Sequence, residues 1–352
     1  MNAGIVGGVC MAHAPQFFTL PESEDKATVA RVKALAEENG RRLAALEPDL
    51  AVVVANDHAN QFLLHCVAPF VLHRGAEAVG RFAGREFRWP VAHEASTALV
   101  RHLQAEGFDP AFSSSAALDY AFGIPLSFLG WKGPIVPLYV NAYVPPQPPI
   151  ERCYRLGEAA ARGLTAAGIR AVVVASGGLS HFPGTERYAH PDLAFDEKLM
   201  AELATGNLRW LLSLDERRLD ETGNIELRCW AVAAGMLGER KPDLASLDPS
   251  WHHNYATLAW WSEAEAADFR PHYPPVDPAR VALSQALHGL ATDAEARARY
   301  LADPAAYAAA HGLAAEERAA LVALTEEGLR ALGVHPFLPF MARLQLDRER
   351  GA

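Results

Sequence analysis

The sequence has few cysteines, no long apolar run and no excess of positive charge. Its four cysteines are far apart and form no Cys-x-x-Cys pair, which argues against both a disulfide framework and a thiolate zinc site. No apolar stretch reaches the roughly 18 residues that a membrane-spanning helix needs. The N-terminus also lacks the basic and apolar regions of a secretion signal. These absences predict a cytoplasmic protein in a reducing compartment, with no membrane partner.

The charge balance narrows the possible partners further. The 352 residues include 32 basic and 42 acidic side chains, which gives a formal net charge of −10. This balance argues against a general nucleic-acid binder, and no patch combines basic and aromatic residues as single-strand binders do. Half of the residues are hydrophobic and 21% are charged, as in an ordinary globular enzyme. We therefore expect no nucleic-acid partner.

Strand-like and helix-like segments alternate through the first 270 residues. Short apolar runs predict buried strands at Gly4–Cys10, Asp49–Ala55, Ile135–Val140 and Arg170–Ser176. Apolar residues at helical spacing predict helices at Lys26–Leu46, Glu94–Glu106 and Pro149–Ala167. Pro137 favours an edge or bulged position for the third strand. The alternation predicts an α/β fold with a mostly parallel central sheet flanked by helices on both faces.

A proline-rich segment divides the chain. Four prolines occur within residues 270–278, which excludes a continuous helix there. We predict a catalytic domain at residues 1–270, a linker at 271–279 and a small all-α domain at 280–352. Helices of the last part are predicted at Val281–Leu290, Asp293–Leu301, Pro304–His311, Ala314–Leu332 and around Pro339–Leu346.

Four short polar segments stand out against their apolar surroundings. They are Met11–Pro15, Asn56–His58, Gly177–His181 and Gly223–Glu226. The first three directly follow predicted strands, and the fourth begins a predicted helix. In an open α/β sheet, ligands bind beyond the carboxyl ends of the strands. We therefore expect His13, His58 and His181 to share one crevice.

Glu226 adds a carboxylate to this group. At the N-terminus of its helix the dipole favours the ionised form. Two histidines and the glutamate can bind a metal while the third histidine transfers protons. This is the composition of a non-haem iron site with open positions for substrate and O2. Composition and spacing leave the metal open, because two histidines and a glutamate also bind catalytic zinc, although the helical His-Glu-x-x-His motif is absent.

Two other interpretations are also open. A single histidine at a strand end more often has a structural role, and a single glutamate at a helix N-terminus more often pairs with the dipole. The same residues could form a metal-dependent hydrolase, or the chain could be an interaction protein without iron. The joint placement of all four residues favours the metal site. The doublet His252-His253 could line a pocket, but it is expected to pack or cap.

The four polar segments resemble the class III (type II) extradiol ring-cleavage dioxygenases, the superfamily of the protocatechuate 4,5-dioxygenase β subunit. The resemblance covers residues 4–270, and the Asn-Asp-His and Gly-Gly-Leu-Ser-His segments are its most specific parts. It implies that His13, His58 and Glu226 bind Fe(II) and that His181 is the acid–base residue. The implied reaction is extradiol cleavage of an ortho-dihydroxy aromatic or heteroaromatic compound, with both atoms of O2 incorporated.

The C-terminal part resembles the small helical α subunit of the same enzymes. The residues that carry this resemblance are Tyr300–Tyr307, Gly312-Leu313, Glu316-Glu317 and Leu332–Phe337. Both parts in one polypeptide are similar to the arrangement in gallate dioxygenase. The resemblance implies that the helical part covers the pocket, so we expect His335 to contact the substrate.

One position departs from the family pattern, because many relatives carry Asp-His where this chain has Asp119-Tyr120. A phenol with a pKa of about 10 is a poor base at neutral pH but can donate a hydrogen bond. We therefore expect Tyr120 to act in catalysis as a donor and His181 as the base; the alternative is a structural Tyr120 with a partnered hydroxyl. Asn56 and Ser180 are further predicted substrate contacts, and a homodimer is expected on general grounds.

Overall fold

The computed structural model describes residues 3–62, 66–262, 273 and 276–351. The chain divides into two compact units, residues 1–265 and 266–352. The predicted boundary at residue 270 and part of the predicted linker at 271–279 lie outside the described residues, so this domain division stays a prediction. No helix in the described part of the chain is long and apolar enough to cross a membrane.

The first unit is built on a central sheet. Its described strands are β1 (Gly4–Met11), β2 (Leu50–Ala55), β3 (Phe70–His73), β4 (Glu77–Phe82), β5 (Arg85–Pro90), β6 (Ala111–Ser113), β7 (Ile135–Val140), β8 (Arg170–Ser176), β9 (Leu244–Asp248) and β10 (Tyr255–Trp260). Eight of them form a sheet in the order β6-β3-β7-β2-β8-β1-β10-β9, and β4 pairs with β5 separately. The central strands β7, β2, β8 and β1 are parallel, while β3 and β10 beside them run antiparallel.

Helices cover both faces of this sheet. They are α1 (Gln16–Thr19), α2 (Lys26–Ala44), α3 (His93–Ala105), α4 (Tyr120–Leu129), α5 (Ile150–Ala166), α6 (Leu193–Ala204), α7 (Glu216–Thr222) and α8 (Leu227–Leu237). Alternate residues of β2 belong to two separate apolar clusters: Val52 and Val54 pack with α3, α5, α6 and α8, while Ala51 and Val53 pack with α2 and α4. A strand buried on both faces reads as a continuous apolar run. The predicted α/β fold with a mostly parallel sheet is confirmed.

The close packing of α5 against α8 fixes the start of α8, which is important for the site. A Cβ at Gly157 would collide with the carbonyl of Val232, and a Cβ at Gly235 with the carbonyl of Tyr154. The two helices can approach this closely only because both positions lack a side chain. Their contact holds Glu226, the residue directly before α8, at the edge of the sheet.

The prediction that Pro137 lies on an edge strand or at a bulge is wrong, and its pairing with β2 continues without a register shift. Its strand, β7, lies inside the sheet between β3 and β2. The ladder with β3 includes only Leu138, Tyr139 and Val140, so Pro137 lies just beyond it. The short length of β3 therefore accommodates a residue that lacks a backbone N–H.

The second unit is helical, as predicted. Its helices are α9 (Val281–Thr292), α10 (Ala294–Ala302), α11 (Pro304–Ala309), α12 (Ala315–Ala323), α13 (Glu326–Ala331) and α14 (Phe337–Arg350). The single helix predicted at Ala314–Leu332 is wrong, because Leu324 adopts φ 46° and ends α12. The side chain of Thr325 then accepts a hydrogen bond from the backbone of Gly328 and caps α13.

Candidate metal centre and active site

The three predicted histidines follow the carboxyl ends of three adjacent parallel strands. His13 follows β1, His58 follows β2 and His181 follows β8, and β8 lies between the other two strands. Glu226 approaches the same edge from the start of α8. The fold therefore brings together four side chains that are separated by up to 213 residues in the sequence. All four are buried or nearly so.

His13, His58 and Glu226 form a compact donor set. One ligand atom of each lies within 4.8 Å of the others. Glu226 Oε1 is 3.3 Å from His13 Nε2 and 3.4 Å from His58 Nε2. Two ligands held ~2.1 Å from one ion, at angles near 90–110°, lie roughly 3.0–3.4 Å apart. The arrangement is therefore compatible with metal binding.

The other ring nitrogen of each of these histidines contacts a buried oxygen. His13 Nδ1 lies 2.8 Å from Ser176 Oγ, and His58 Nδ1 lies 2.8 Å from Asp119 Oδ1. Partners of this kind fix the ring orientation and leave Nε2 available to a metal. Asp119 also caps α4 by accepting a hydrogen bond from the backbone of Ala121, which anchors the carboxylate itself.

The carboxylate of Glu226 is fully buried and fully engaged. Oε2 accepts a hydrogen bond from the backbone N–H of Gly178 at 2.6 Å, and Oε1 accepts one from the Tyr143 hydroxyl at 3.0 Å. Burial alone would raise the pKa of Glu226, but the charge of His13 and the hydrogen bonds with His13 and His58 hold it well below its ordinary value. The carboxylate is therefore ionised, as a metal ligand must be.

The His58 ring is basic in the absence of a metal. Burial by itself would lower the pKa of His58, but hydrogen bonds to Asp119 and Glu226 and their charges raise it to about 9. A metal ion at Nε2 must displace this proton, so metal binding here is coupled to pH.

His181 has a different environment. Its Nδ1–H donates to the carbonyl of Leu179 at 2.8 Å, which leaves the lone pair on Nε2. Nε2 is 3.0 Å from the Tyr143 hydroxyl and 3.9 Å from Glu226 Oε1. The His253 ring stacks on His181 with centroids 4.3 Å apart and planes 3° apart. Burial lowers the pKa of His181, so this ring is neutral and can accept a proton.

Tyr120 begins α4 and lines the same cavity. Its ring stacks on His58 at 4.4 Å with an interplanar angle of 15°. Its hydroxyl has no hydrogen-bond partner among the described residues. Burial and the charges of Asp119 and Glu226 raise the pKa of Tyr120, so the hydroxyl stays protonated. It can donate a hydrogen bond but is not a base.

The three predicted substrate contacts lie in different places. Asn56 is buried, with Nδ2 3.0 Å from His58 Nε2. The Ser180 hydroxyl is also buried and donates to Asp196 at 2.6 Å. Neither residue is part of the cavity wall that the described residues form. His335 belongs to the helical unit, and all three contacts stay predictions.

The cavity beside the donor set has a volume of about 350 Å³ and includes residues that the sequence analysis gave no role. Tyr143 is one of them, and His252 and His253, which were expected to pack or cap, also line the cavity. A Cβ at Gly178 would collide with the His253 ring, so the second glycine of the Gly-Gly pair makes room for it. The paired glycines and the paired histidines were visible in the sequence, but their contact was not.

Comparison with known proteins identifies the class of enzyme. Residues 7–260 match the family described as the catalytic LigB subunit of aromatic ring-opening dioxygenase. A 2,3-dihydroxyphenylpropionate/2,3-dihydroxicinnamic acid 1,2-dioxygenase of Klebsiella pneumoniae (strain 342) is 32% identical over 253 residues, covering 71% of this chain and 76% of that protein. The protein of the same name from Cupriavidus necator is 28% identical over 303 residues, covering 71% and 96%. The chain belongs to this family of aromatic ring-opening dioxygenases.

One solved structure resembles this chain in fold only. An uncharacterized protein of Escherichia coli K12 aligns with a TM-score of 0.50 and 14% sequence identity, covering 72% of this chain and 99% of that chain. The resemblance inferred from the four polar segments is confirmed at the level of the family by the match over residues 7–260. The likeness of the helical unit to an α subunit stays a prediction.

Proposed function

We propose that this protein is an Fe(II)-dependent extradiol dioxygenase that opens the ring of an ortho-dihydroxy aromatic or heteroaromatic compound with O2. The observation that carries the proposal is that one ligand atom each of His13, His58 and Glu226 lies within 4.8 Å of the others, beside the cavity that the two histidines line. Two histidines and one carboxylate with open positions form the donor set of non-haem Fe(II) oxygenases. The family of ring-opening dioxygenases supports the same reaction.

In this proposal His13, His58 and Glu226 hold the iron. When bound, Fe(II) would bring the diol and O2 together and carry electron density between them. Two neutral imidazoles and one carboxylate leave this centre with a single positive charge, which suits an anionic diol. Ser176 and Asp119 keep the two ligand rings oriented.

His181 is the proposed acid–base residue. Because Nδ1–H donates to the Leu179 carbonyl, Nε2 is the nitrogen that can take a proton from a substrate hydroxyl. The same nitrogen can return the proton to an oxygen that leaves later in the reaction. Tyr143 and His253 fix the direction and the plane of this ring. Tyr120, with its free hydroxyl on the cavity wall, donates a hydrogen bond to a substrate oxygen.

The substrate is proposed to be a substituted catechol or a heteroaromatic equivalent. The relatives named above act on a catechol with a side chain beside the diol. A single aromatic ring with small substituents is compatible with a cavity of about 350 Å³.

The test is O2 uptake by protein reconstituted anaerobically with Fe(II), against catechols, gallates, aminophenols and dihydroxypyridines. We expect stoichiometric uptake and a yellow ring-opened product with at least one compound. Glu226→Ala protein, treated identically, is the negative control. Turnover that requires zinc and no O2 would instead indicate a hydrolase, and failure to bind iron would indicate an interaction protein.

A further inference from the structure

The cavity contains a polar wall that the proposed reaction does not use. Gln16, Tyr188 and His252 form this wall, here called the side wall. Gln16 Nε2 donates to the Tyr188 hydroxyl at 3.2 Å, and the Tyr188 and His252 rings lie 5.5 Å apart. These residues come from α1, from the segment after β8 and from the segment before β10, so the fold gathers them at one place.

Glu24 and Tyr255 fix the orientation of the His252 ring. Its Nε2 lies 3.0 Å from Glu24 Oε2, and the Tyr255 hydroxyl donates to Glu24 Oε1 at 2.9 Å. Glu24 and His252 are 4% and 2% exposed. A carboxylate buried this deeply must be hydrogen-bonded, because its desolvation is otherwise very costly. Nε2–H of His252 therefore donates to Glu24, and in the neutral ring Nδ1 carries the lone pair.

The side wall offers hydrogen-bond acceptors that have no partner. No hydrogen bond to His252 Nδ1 is found within the described residues. Gln16 Oε1 is buried and also lacks a partner in the part of the chain that the structure describes. Unpaired acceptors in a buried site favour a ligand that donates hydrogen bonds to them.

The charge of the cavity favours a neutral donor. The described residues that line it include Asp57 but no lysine and no arginine. A carboxylate on the ring would lose its hydration here and find no cation in the described wall. A hydroxyl or amino group would find acceptors.

We infer that the side wall is a subsite for an uncharged hydrogen-bond donor on the substrate ring, so that the preferred substrate is a catechol with a further hydroxyl or amino group. This inference rests on the proposed function, because the diol must first be held at the donor set. Gln16 and His252 are the specificity-determining residues, and they accept hydrogen bonds from the third substituent.

The test compares matched ring compounds by anaerobic calorimetric titration of the Fe(II)-loaded full-length protein. Pyrogallol and 3-methylcatechol differ only by hydroxyl against methyl at ring position 3, and benzene-1,2,4-triol and 4-methylcatechol do so at position 4. The two dihydroxybenzoates, 2,3 and 3,4, place a carboxylate at the same positions. We expect one triol to bind about tenfold more tightly than its methyl partner, the effect of one well-placed hydrogen bond.

Two variants test whether the preference for the triol depends on the side wall. Gln16→Leu should reduce the preference for the triol to about twofold or less while leaving the affinity for the methyl compound unchanged. Gln104→Leu, on the exposed side of α3, is the matched control and should keep the preference. Because His252 is buried, His252→Gln is the suitable second variant: it keeps a donor near Glu24 and removes Nδ1. We expect it to reduce the preference as well.

The outcomes separate this inference from the proposed function. Tightest binding of a dihydroxybenzoate, or an unchanged triol preference in both side-wall variants, would overturn the subsite and leave the dioxygenase standing. Equal affinities for the triol and the methyl compound at both ring positions would also overturn the subsite and leave the dioxygenase standing. Failure of every diol to bind the iron-loaded protein would remove the proposed function and the subsite with it.

Discussion

Two histidine-containing regions meet at the cavity and are held in different ways. The ligand side consists of His13 and His58, beyond β1 and β2, and each Nδ1 lies 2.8 Å from a side-chain oxygen. The base side consists of His181 and His253, beyond β8 and before β10. There, His181 Nδ1 donates to a backbone carbonyl and its ring is stacked on His253.

The difference explains how one residue type can take the two proposed roles, metal ligand and proton acceptor. On the ligand side, the carboxylate charge of Asp119 helps to raise the pKa of His58 against the effect of burial. On the base side, burial dominates and lowers the pKa of His181. A nitrogen made electron-rich by a carboxylate is a good ligand, whereas a neutral ring with a free lone pair is a good proton acceptor. The hydrogen-bond partner of each histidine therefore determines whether it suits metal binding or proton transfer.

The largest expected effect is on the ligand side. Glu226→Ala removes the only carboxylate of the described donor set, so we expect stoichiometric Fe(II) binding and turnover to be lost. Iron should raise the melting temperature of the unaltered protein, since it binds the folded state, but not that of the variant. Anaerobic iron analysis and thermal unfolding measure both. Full retention of metal and activity would exclude the proposed ligand set.

On the base side we expect activity to fall while iron stays. His181→Ala removes the proposed proton acceptor but none of the three ligands. Turnover should fall by about two to four orders of magnitude, the usual contribution of general acid–base catalysis. Iron content and anaerobic diol binding should match those of the unaltered protein. Loss of iron from this variant would make His181 a ligand and would remove the distinction between the two sides.

Asp119→Asn tests the ligand side by altering the hydrogen-bond partner of His58. We expect iron affinity at pH 9, where proton competition at His58 is small, to fall about 10- to 100-fold, the usual effect of removing such a partner. In the unaltered protein affinity should rise with pH up to about 9, because iron must displace the His58 proton. Without the Asp119 charge the pKa of His58 is lower, so this rise should end at a lower pH.

The control for this prediction is Asp109→Asn, which makes the same change at an exposed position. Iron titrations across pH 6 to 9 should leave the control unchanged. An Asp119→Asn profile identical to that of the unaltered protein would mean that Asp119 does not tune His58.

The smallest expected effect belongs to Tyr143→Phe. Its hydroxyl contacts both sides, at 3.0 Å from Glu226 Oε1 and 3.0 Å from His181 Nε2. Loss of a hydrogen bond to a charged group typically costs about 1.5–3 kcal/mol. We expect roughly a tenfold fall in kcat, the lower end of this range, with iron still bound, measured by O2 uptake. A fall as large as that of His181→Ala would instead indicate that Tyr143 itself transfers the proton.

The cluster of His13, His58, His181 and Glu226 could be predicted because the sequence signal for each residue is local. An apolar run followed by a histidine predicts a strand end, and the carboxyl ends of parallel strands meet at one edge. β8 has the predicted bounds, Arg170–Ser176, and Glu226 directly precedes its predicted helix. The four residues could therefore be grouped without knowing the strand order.

The rest of the site depends on contacts between distant segments. Tyr143 lies beyond β7 and meets Glu226, 83 residues away, only after the sheet has formed. His253 fits against Gly178 because β10 pairs antiparallel with β1, and β10 was not predicted. The break at Leu324 escaped prediction for a different reason: a leucine at φ 46° leaves no mark in the apolar pattern.

The central claim is that His13, His58 and Glu226 hold iron and His181 does not. The most direct measurement is the iron anomalous-scattering peak in crystals grown anaerobically with Fe(II) and a catechol. We predict a single peak about 2.0–2.2 Å from His13 Nε2, His58 Nε2 and Glu226 Oε1, beyond bonding distance of His181 Nε2. A peak bonded to His181 in place of any of the three would contradict the account.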